Sequence, residues 1–232
     1  MTPETGSLFI ISTPIGNLGD ITYRAIEKLR SVPLVAAEDT RHTRKLFSHY
    51  GISTPLISYY EHNEFSRIPK IVAHLNSGQD LGVVSDAGTP GISDPGYRLV
   101  REAIAIGSKV EAIPGPSAVL AALVLSGLPT DRFIFEGFLP RKKGRKKRIM
   151  SLRSETATVI IFENKTRIIK TLNDLLEQLG ERPAVVAREL TKLHEEIIRG
   201  TFTDCVEYFS SNPPKGECII LVGKNDSNVY FK

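Results

Sequence analysis

One loop of the chain combines a carboxylate with a backbone that carries few side chains. It reads SDAGTPGISDP over residues 85–95 and directly follows the apolar run LGVV at residues 81–84. The run predicts a buried parallel strand, so Asp86 should emerge at its carboxyl end, where open α/β sheets bind ligands. The glycines free the loop backbone and the prolines stiffen it. A fixed carboxylate beside accessible amides suits an adenosine-type ligand.

Three more polar segments follow short apolar runs: STPIGNLGD at residues 12–20, AAEDTRHT at 36–43 and IPGPSA at 113–118. Neither the glycine fingerprint of dinucleotide-binding folds nor a phosphate-binding P-loop occurs in the sequence. The second segment concentrates charge in Glu38, Asp39 and Arg41, more than a helix start alone requires. We therefore expect a catalytic rim there, with the loop at residues 85–95 beside it.

Each of these segments also has a purely structural interpretation. The first is explained by an ordinary strand–helix turn. Asp39 or Thr40 could simply cap a helix, Asp94 could cap the helix that follows it, and Ser117 could cap a helix after a domain junction. Asp86 is harder to explain in this way, because an acid at a buried strand end needs partners.

Positive charge is concentrated in one segment, RKKGRKKR at residues 141–148. The formal net charge is +4, but outside this segment 23 Lys and Arg face 26 Asp and Glu, which leaves the remainder at −3. This distribution indicates a dedicated anionic partner. The segment is predicted to be a loop, and the alternative to a binding role is that this loop is only solvated and mobile. The residues predicted to contact the partner are Arg141, Lys142, Lys143, Arg145, Lys146, Lys147 and Arg148.

The elements that must position these residues follow an α/β rhythm. Short β-branched runs alternate with amphipathic stretches in the first half, which predicts a mostly parallel sheet covered by helices. The tripeptide PGP at residues 114–116 marks a break, so we expect domains at 1–115 and 116–232. Closely spaced strands on either side of Leu190 give the second domain an antiparallel component. The predicted strands are 8–11, 34–37, 56–59, 81–84, 110–113, 133–138, 159–162, 184–187, 196–199 and 218–222, and the predicted helices are 21–29, 41–50, 65–75, 97–106, 118–125, 168–179 and 205–209.

Composition limits the compartment and excludes several classes of protein. Two cysteines in 232 residues are too few for a disulfide framework and favour a reducing cytoplasm. No signal peptide is expected at the start, and the longest aliphatic run, residues 118–125, is far shorter than the roughly 20 residues of a membrane span. We also expect no metal site.

Six ordered motifs together resemble a known family. They are TPIGNLGDIT, AEDTRHT, SDAGTPGISDPG, PGPSA, SGLPTDRFIFEGFLPRK and RELTK, and they extend from about Leu8 to Gly223. The series is similar to that of the tetrapyrrole methylase superfamily, and within it to the branch that methylates small-subunit ribosomal RNA. The resemblance implies two α/β domains with S-adenosylmethionine in the cleft between them, and a homodimer. It also implies methylation of a cytidine ribose 2′-hydroxyl in the decoding region of small-subunit (16S) ribosomal RNA. The basic segment at residues 141–148 would then bind RNA phosphates, which release counterions on binding.

The resemblance also implies which residues contact the cofactor. They are Pro14, Gly16, Leu18, Asp86, Gly88, Thr89, Ser117 and Ala118, together with Phe162, Ala187, Gly216 and Glu217 in the second domain. The sequence departs from the family near Phe162, where FENKTR replaces the usual Tyr and Pro, so a different local backbone is expected. The family also commonly carries a small C-terminal extension, whereas this sequence stops soon after Gly223.

The reaction requires a hydroxyl to be aligned with the methyl donor and deprotonated. Spacing alone does not single out the base. Glu38 or Asp39 is the first expectation, with Arg41 beside them, and the set Arg188, Glu189 and Lys192 is a second source. Two other functions stay open: methylation of a corrin or porphyrin precursor, and RNA binding without catalysis.

Overall fold

The computed structural model describes residues 5–231, which divide after Ser117 into two compact units. Both are α/β, as predicted, and each has its own five-stranded sheet. In the first unit the strands are β1 (Leu8–Ile11), β2 (Val35–Ala37), β3 (Leu56–Ser58), β4 (Leu81–Val84) and β5 (Val110–Ile113). Its helices are α1 (Tyr23–Ser31), α2 (Thr40–Tyr50), α3 (Glu64–Asn76) and α4 (Tyr97–Ala105), and a short 3-10 helix spans Leu18–Asp20.

The first sheet is entirely parallel, with strand order β3-β2-β4-β1-β5. Helices α1 and α2 bury Leu29 and Phe47 in the core on one face. Helices α3 and α4 bury Leu75 and Leu99 on the other. The chain therefore leaves the neighbouring strands β1 and β4 toward opposite faces. Such a switch point opens a crevice at the carboxyl ends of the two strands, where α/β proteins place ligands.

Local chemistry explains where the helices on this sheet begin and end. The hydroxyl of Thr22 accepts a hydrogen bond from the Ala25 amide and caps α1, while the carboxylate of Asp39 caps α2. Helix α2 ends at Gly51, whose φ of +60° is a left-handed conformation that glycine adopts without strain. The predicted cap of α4 by Asp94 is wrong, because Gly96 occupies the cap position without any side-chain hydrogen bond.

The second unit has a mixed sheet of order β6-β7-β10-β8-β9, in which only β6 and β7 are parallel. The predicted antiparallel component is confirmed, since β8 and β9 pair antiparallel on either side of Leu190. The strands are β6 (Phe133–Phe138), β7 (Thr158–Asn164), β8 (Pro183–Arg188), β9 (Glu196–Thr201) and β10 (Glu217–Val222). The helices are α5 (Ala118–Ser126), α6 (Arg145–Ser151), α7 (Ile168–Leu179) and α8 (Phe202–Ser211).

Half of the basic segment is helical, which corrects the prediction of a loop over residues 141–148. Helix α6 starts at Arg145 and buries Ile149, and Leu152 follows it into the same core as α7 and α8. A run of charges with so few apolar positions hides helical periodicity in the sequence. Within residues 5–231, no helix is both long and apolar enough to cross a membrane.

Candidate functional site

Two predicted loops are bonded to each other at the carboxyl edge of the first sheet. Thr13 and Gly88 exchange backbone hydrogen bonds of 2.8 and 3.0 Å. The hydroxyls of Ser12 and Thr89 lie 2.9 Å apart, and that of Thr13 donates to the carbonyl of Ser85. The bridge holds the loops after β1 and β4 together where the chain switches faces, so these hydroxyls lie at the expected crevice.

The loops after β2 and β4 are joined by carboxylates. Asp86 accepts a 3.0 Å hydrogen bond from the amide of Asp39, and its own amide donates to the Glu38 carboxylate at 3.2 Å. This reciprocal pair of hydrogen bonds joins the predicted catalytic rim to the loop at residues 85–95. The predicted proximity of Glu38 and Asp86 is thus present in the structure, although it does not test their roles.

A third carboxyl group, that of Asp94, belongs to the same cluster. Burial, followed by the negative charge of Glu38 and then of Asp86, raises the Asp94 pKa to about 6, against a partial lowering by Ser85. Burial is also the main cause that raises the pKa of Glu38. Sequence reasoning assigned Asp94 to a helix cap and missed this placement. The Asp-Pro-Gly run at residues 94–96 offered a signal, because Gly96 rather than the acid can occupy the cap.

Asp39 has a different environment from its neighbour Glu38. Its carboxylate accepts hydrogen bonds from the Arg41 amide at 2.8 Å and from the Arg41 guanidinium at 2.7 Å. The Arg41 side chain is the main cause that holds the Asp39 pKa far below its usual range. Since Asp39 caps α2 and forms an ion pair as well, it is a poor proton acceptor, and Glu38 is the better base of the two.

The remaining predicted loops of this unit lie around the same strand ends. Ser12 donates its amide to the Ile113 carbonyl at 3.1 Å, and a Cβ on Gly115 would lie 3.0 Å from that of Ser12. This close approach explains the glycine of the PGPSA motif. In the loop after β1, Leu18 is 40% exposed and its carbonyl accepts a hydrogen bond from the Tyr50 hydroxyl at 2.6 Å. Pro14 is partly buried and Gly16 is exposed.

In the second unit, the predicted cofactor residues fall into two groups. Phe162 and Ala187 flank Ile219 of β10 as direct partners on either side, so they share one row of the sheet. Gly216 directly precedes β10 and Glu217 is its first residue, whose amide donates to the Glu189 carboxylate at 3.2 Å.

The second set of candidate catalytic residues, Arg188, Glu189 and Lys192, forms ion pairs within the second unit. Lys192 lies 3.0 Å from Glu189 and 3.1 Å from Glu217, and Arg188 pairs with Glu196. Their charges are satisfied within the unit, which favours a structural role over acid–base chemistry.

The segment FENKTR at residues 162–167, where the sequence departs from the family pattern, is part of a buried polar network that was not predicted from the sequence. Glu163 is buried, forms an ion pair with Arg167 at 2.6 Å and accepts a 2.6 Å hydrogen bond from Thr171. Thr171 in turn accepts a bond from Arg145, whose guanidinium also lies 2.7 Å from Asp174. The spacing of Glu163 and Arg167, four residues apart, was the available signal.

The basic segment divides into internal and free cations. Arg145 is 8% exposed and its charge is paired with Asp174, so its predicted contact with RNA is not compatible with this structure. Arg148 is exposed but pairs with Glu136 at 2.6 Å. Within residues 5–231, the other basic side chains of the segment are exposed and form no ion pair; they are Arg141, Lys142, Lys143, Lys146 and Lys147.

Comparisons of sequence identify the family of the chain, and a comparison with solved structures identifies its fold. The family model of tetrapyrrole (corrin/porphyrin) methylases matches residues 7–205. A ribosomal RNA small subunit methyltransferase I from Synechocystis is 52% identical, covering 94% of this chain and 79% of that protein. The protein of the same name from Thermotoga maritima is 47% identical and is covered over 99% of its length. A uroporphyrin-III C-methyltransferase from Thermus thermophilus, complexed with S-adenyl homocysteine, has a TM-score of 0.66 at 18% identity, covering 94% of this chain and 98% of that one.

Proposed function

The chain belongs to the tetrapyrrole (corrin/porphyrin) methylase family and, within it, to the ribosomal RNA small subunit methyltransferases I, and from this premise we propose its reaction. It transfers a methyl group from S-adenosylmethionine to the ribose 2′-hydroxyl of a cytidine in small-subunit ribosomal RNA. A ribosomal substrate favours a cytoplasmic location, and we expect a homodimer. The observation that carries the proposal is the bonded assembly of Glu38, Asp86 and the Thr13–Gly88 bridge at the switch point.

The residues at this edge fit the chemistry of the cofactor. S-adenosylmethionine supplies the methyl group from a sulfonium cation, and it also carries an ammonium group and a ribose diol. The carboxyl groups of Asp86 and Asp94 attract cations, and the hydroxyls of Ser12 and Thr89 can hydrogen-bond to a diol. Gly88, with φ of +76°, bends the backbone of the loop without a side chain.

The protein contributes to catalysis by positioning the substrate hydroxyl and by removing its proton. Methyl transfer is an in-line displacement, so holding the hydroxyl against the donor supplies much of the rate. The Glu38 carboxylate accepts the hydroxyl proton, because burial brings its pKa closer to neutral pH than that of an ordinary glutamate. Asp86 holds the loop that carries Glu38 by accepting the adjacent Asp39 amide.

The free cations of the basic segment support an RNA substrate over a tetrapyrrole. Five exposed cations without an internal partner can contact several consecutive phosphates, and each contact adds salt-dependent affinity. The two matched relatives are likewise named for ribosomal RNA. A corrin or porphyrin precursor carries carboxylates but no polymeric backbone along which such a run could extend.

The test is incubation of the protein with methyl-labelled S-adenosylmethionine and small ribosomal subunits, followed by mapping of the modified nucleotide. We expect label at one cytidine ribose. Glu38→Gln should lower the rate by about 10²–10⁴-fold while the affinity for the cofactor changes little, since general base catalysis is lost but the side-chain volume is kept.

Glu61→Gln is the matched control, because Glu61 is an exposed acid outside the cluster. It should retain the wild-type rate. Label on a base, on a tetrapyrrole only, or on no substrate would contradict the proposed reaction. An unchanged rate in Glu38→Gln would exclude Glu38 as the base.

A further inference from the structure

Three phenylalanines of the second unit form a cluster on the sheet face opposite its main core. Val159 and Ile161 of β7 belong to the core beneath α6, α7 and α8. Phe162 therefore points to the opposite face, because side chains alternate along a strand. There it meets Phe135 and Phe138 in edge-to-face contacts, with ring centroids 4.9 and 5.7 Å away.

An irregularity in β6 creates this cluster. Residues 135 and 138 are three apart and would point to opposite faces of a regular strand. The register shifts between Phe135 and Gly137, where Gly137 has φ of +62°, so Phe135 pairs with Ile160 and Phe138 pairs with Phe162. The inserted residue is Glu136. Bulges of this kind redirect side chains, and here the bulge turns Phe138 onto the face of Phe162.

Phe138 is 56% exposed although its partners are partly buried. A large exposed aromatic side chain held by two neighbouring rings is a rigid apolar surface with a free π system. The free cations of the basic segment begin at Arg141, and three residues of chain span at most about 11 Å. The bulge is also tied to this segment directly, because Glu136 pairs with Arg148 of α6 at 2.6 Å.

We propose that Phe138, supported by Phe135 and Phe162, is a stacking platform for an unpaired base of the RNA whose phosphates the basic segment binds. The site rests on the proposed function and adds to it the recognition of single-stranded RNA. Aromatic side chains beside a basic groove are the usual means of binding splayed bases without a strict sequence requirement.

Charge favours RNA at this platform over two other occupants, the cofactor and a second copy of the chain. The cofactor is itself a cation, so a platform beside five uncompensated cations repels it and attracts a polyanion. A second copy of the chain docked on the same surface would bring like charges together. RNA satisfies the aromatic and the electrostatic features together.

The experiment measures binding of a short single-stranded RNA that contains one 2-aminopurine, whose fluorescence is quenched when it stacks. Phe138→Ala should weaken binding about tenfold and reduce the quenching, since a base–aromatic stack contributes about 1–3 kcal/mol. Phe138→Trp should retain both the wild-type RNA affinity and the quenching. The salt dependence of binding should be unchanged in both variants, because stacking releases no counterions. A duplex of the same sequence should bind Phe138→Ala and the wild type equally.

Phe133→Ala is the matched control, because Phe133 lies in the same strand, before the bulge, and is 40% exposed. Equal RNA binding by the two alanine variants would overturn the platform. So would a loss of S-adenosylmethionine affinity in Phe138→Ala with RNA affinity intact, since the residue would then hold the cofactor.

Methyl transfer by the wild type separates this inference from the proposed function. A wild type that methylates ribosomal RNA while the two alanine variants bind alike retains its function and loses the platform. RNA binding through Phe138 without any methylation keeps the platform and contradicts the function. Absence of binding of the short RNA by the wild type overturns the platform, whereas methyl labelling of small ribosomal subunits alone decides the function.

Discussion

Glu38 and Asp39 are neighbours in sequence but differ in how they hold a proton. Burial raises the pKa of Glu38, whereas the Arg41 side chain lowers that of Asp39. The same pair of acids therefore divides into one group suited to accept a proton near neutral pH and one that anchors a helix. Sequence spacing could not separate them, because Glu38 is partly buried against the Asp86 amide of another loop, whereas Asp39 contacts Arg41 of its own helix.

Asp94 gives a pH-dependent prediction for stability. Its folded pKa of about 6 exceeds that of an ordinary aspartate, so the folded state binds a proton more tightly than the unfolded chain, and stability falls as pH rises through this range. Asp94→Asn removes the buried charge. It should raise the free energy of unfolding by about 1 kcal/mol at about pH 8, a value reduced for solvent screening of a half-buried group. This gain should shrink as pH falls through about 6 and vanish below about pH 3, where the wild-type group is protonated in both states.

Urea unfolding at several pH values measures this difference, and Asp39→Asn supplies a control of opposite sign. The Asp39 pKa is lowered in the folded state, so its contribution is present at neutral pH and is lost as the solution becomes strongly acidic. If Asp94→Asn destabilised the protein above about pH 7, the carboxylate would be stabilising and the assignment of burial as the dominant cause would be wrong.

At the scale of elements, the sequence predicts regular strands well and charged helices poorly. β1 and β4 occupy the residues that their apolar runs predicted, because buried parallel strands are nearly continuous in apolar residues. Helix α6 was missed because its helical residues bury only Ile149 and the guanidinium of Arg145, and burial of a cation depends on a partner 29 residues away. The bulge at Gly137 was missed for a similar reason, as only pairing with β7 defines it.

Arg145 should therefore contribute to folding and not to RNA binding. Arg145→Ala leaves the Asp174 carboxylate without its cation and removes one of the two hydrogen bonds of the Thr171 hydroxyl, and losing the buried partner of such a pair costs about 3 kcal/mol. Lys146→Ala, one residue later and exposed, should change the free energy of unfolding by less than about 0.5 kcal/mol. Urea unfolding of the two variants tests the division of the segment. Equal stabilities would show that the guanidinium does not hold α6 in place.

At the scale of the whole molecule, both units have the same fold class, but only the second carries the excess positive charge. Each unit has its own sheet and its own core, and the proposed catalytic residue Glu38 lies in the first unit. The excess positive charge lies in one segment of the second unit, while the rest of the chain carries −3. The sequence could predict this partition, because composition requires no tertiary contact. It could not predict which cations are free, since that depends on Asp174 and Glu136.

The free cations determine how RNA affinity should respond to salt. A protein that neutralises Z phosphates of a single strand shows a slope of about −0.7Z in a plot of log K against log salt concentration. Replacing the five free cations with alanine should make the slope shallower by up to about 3.5 and leave S-adenosylmethionine affinity unchanged. The variant set is Arg141, Lys142, Lys143, Lys146 and Lys147.

The matched control removes Lys165, Lys170 and Lys215, exposed cations elsewhere in the second unit. Net charge alone would flatten the slope in this control in proportion to the charge removed, whereas a local phosphate contact leaves the control slope at the wild-type value. The measurement is a filter-binding or fluorescence titration of single-stranded RNA across salt concentrations. A proportional loss in the control would show that the whole field of the protein, and not the basic segment, attracts the RNA. An unchanged slope in the five-residue variant would remove the segment from the RNA-binding surface.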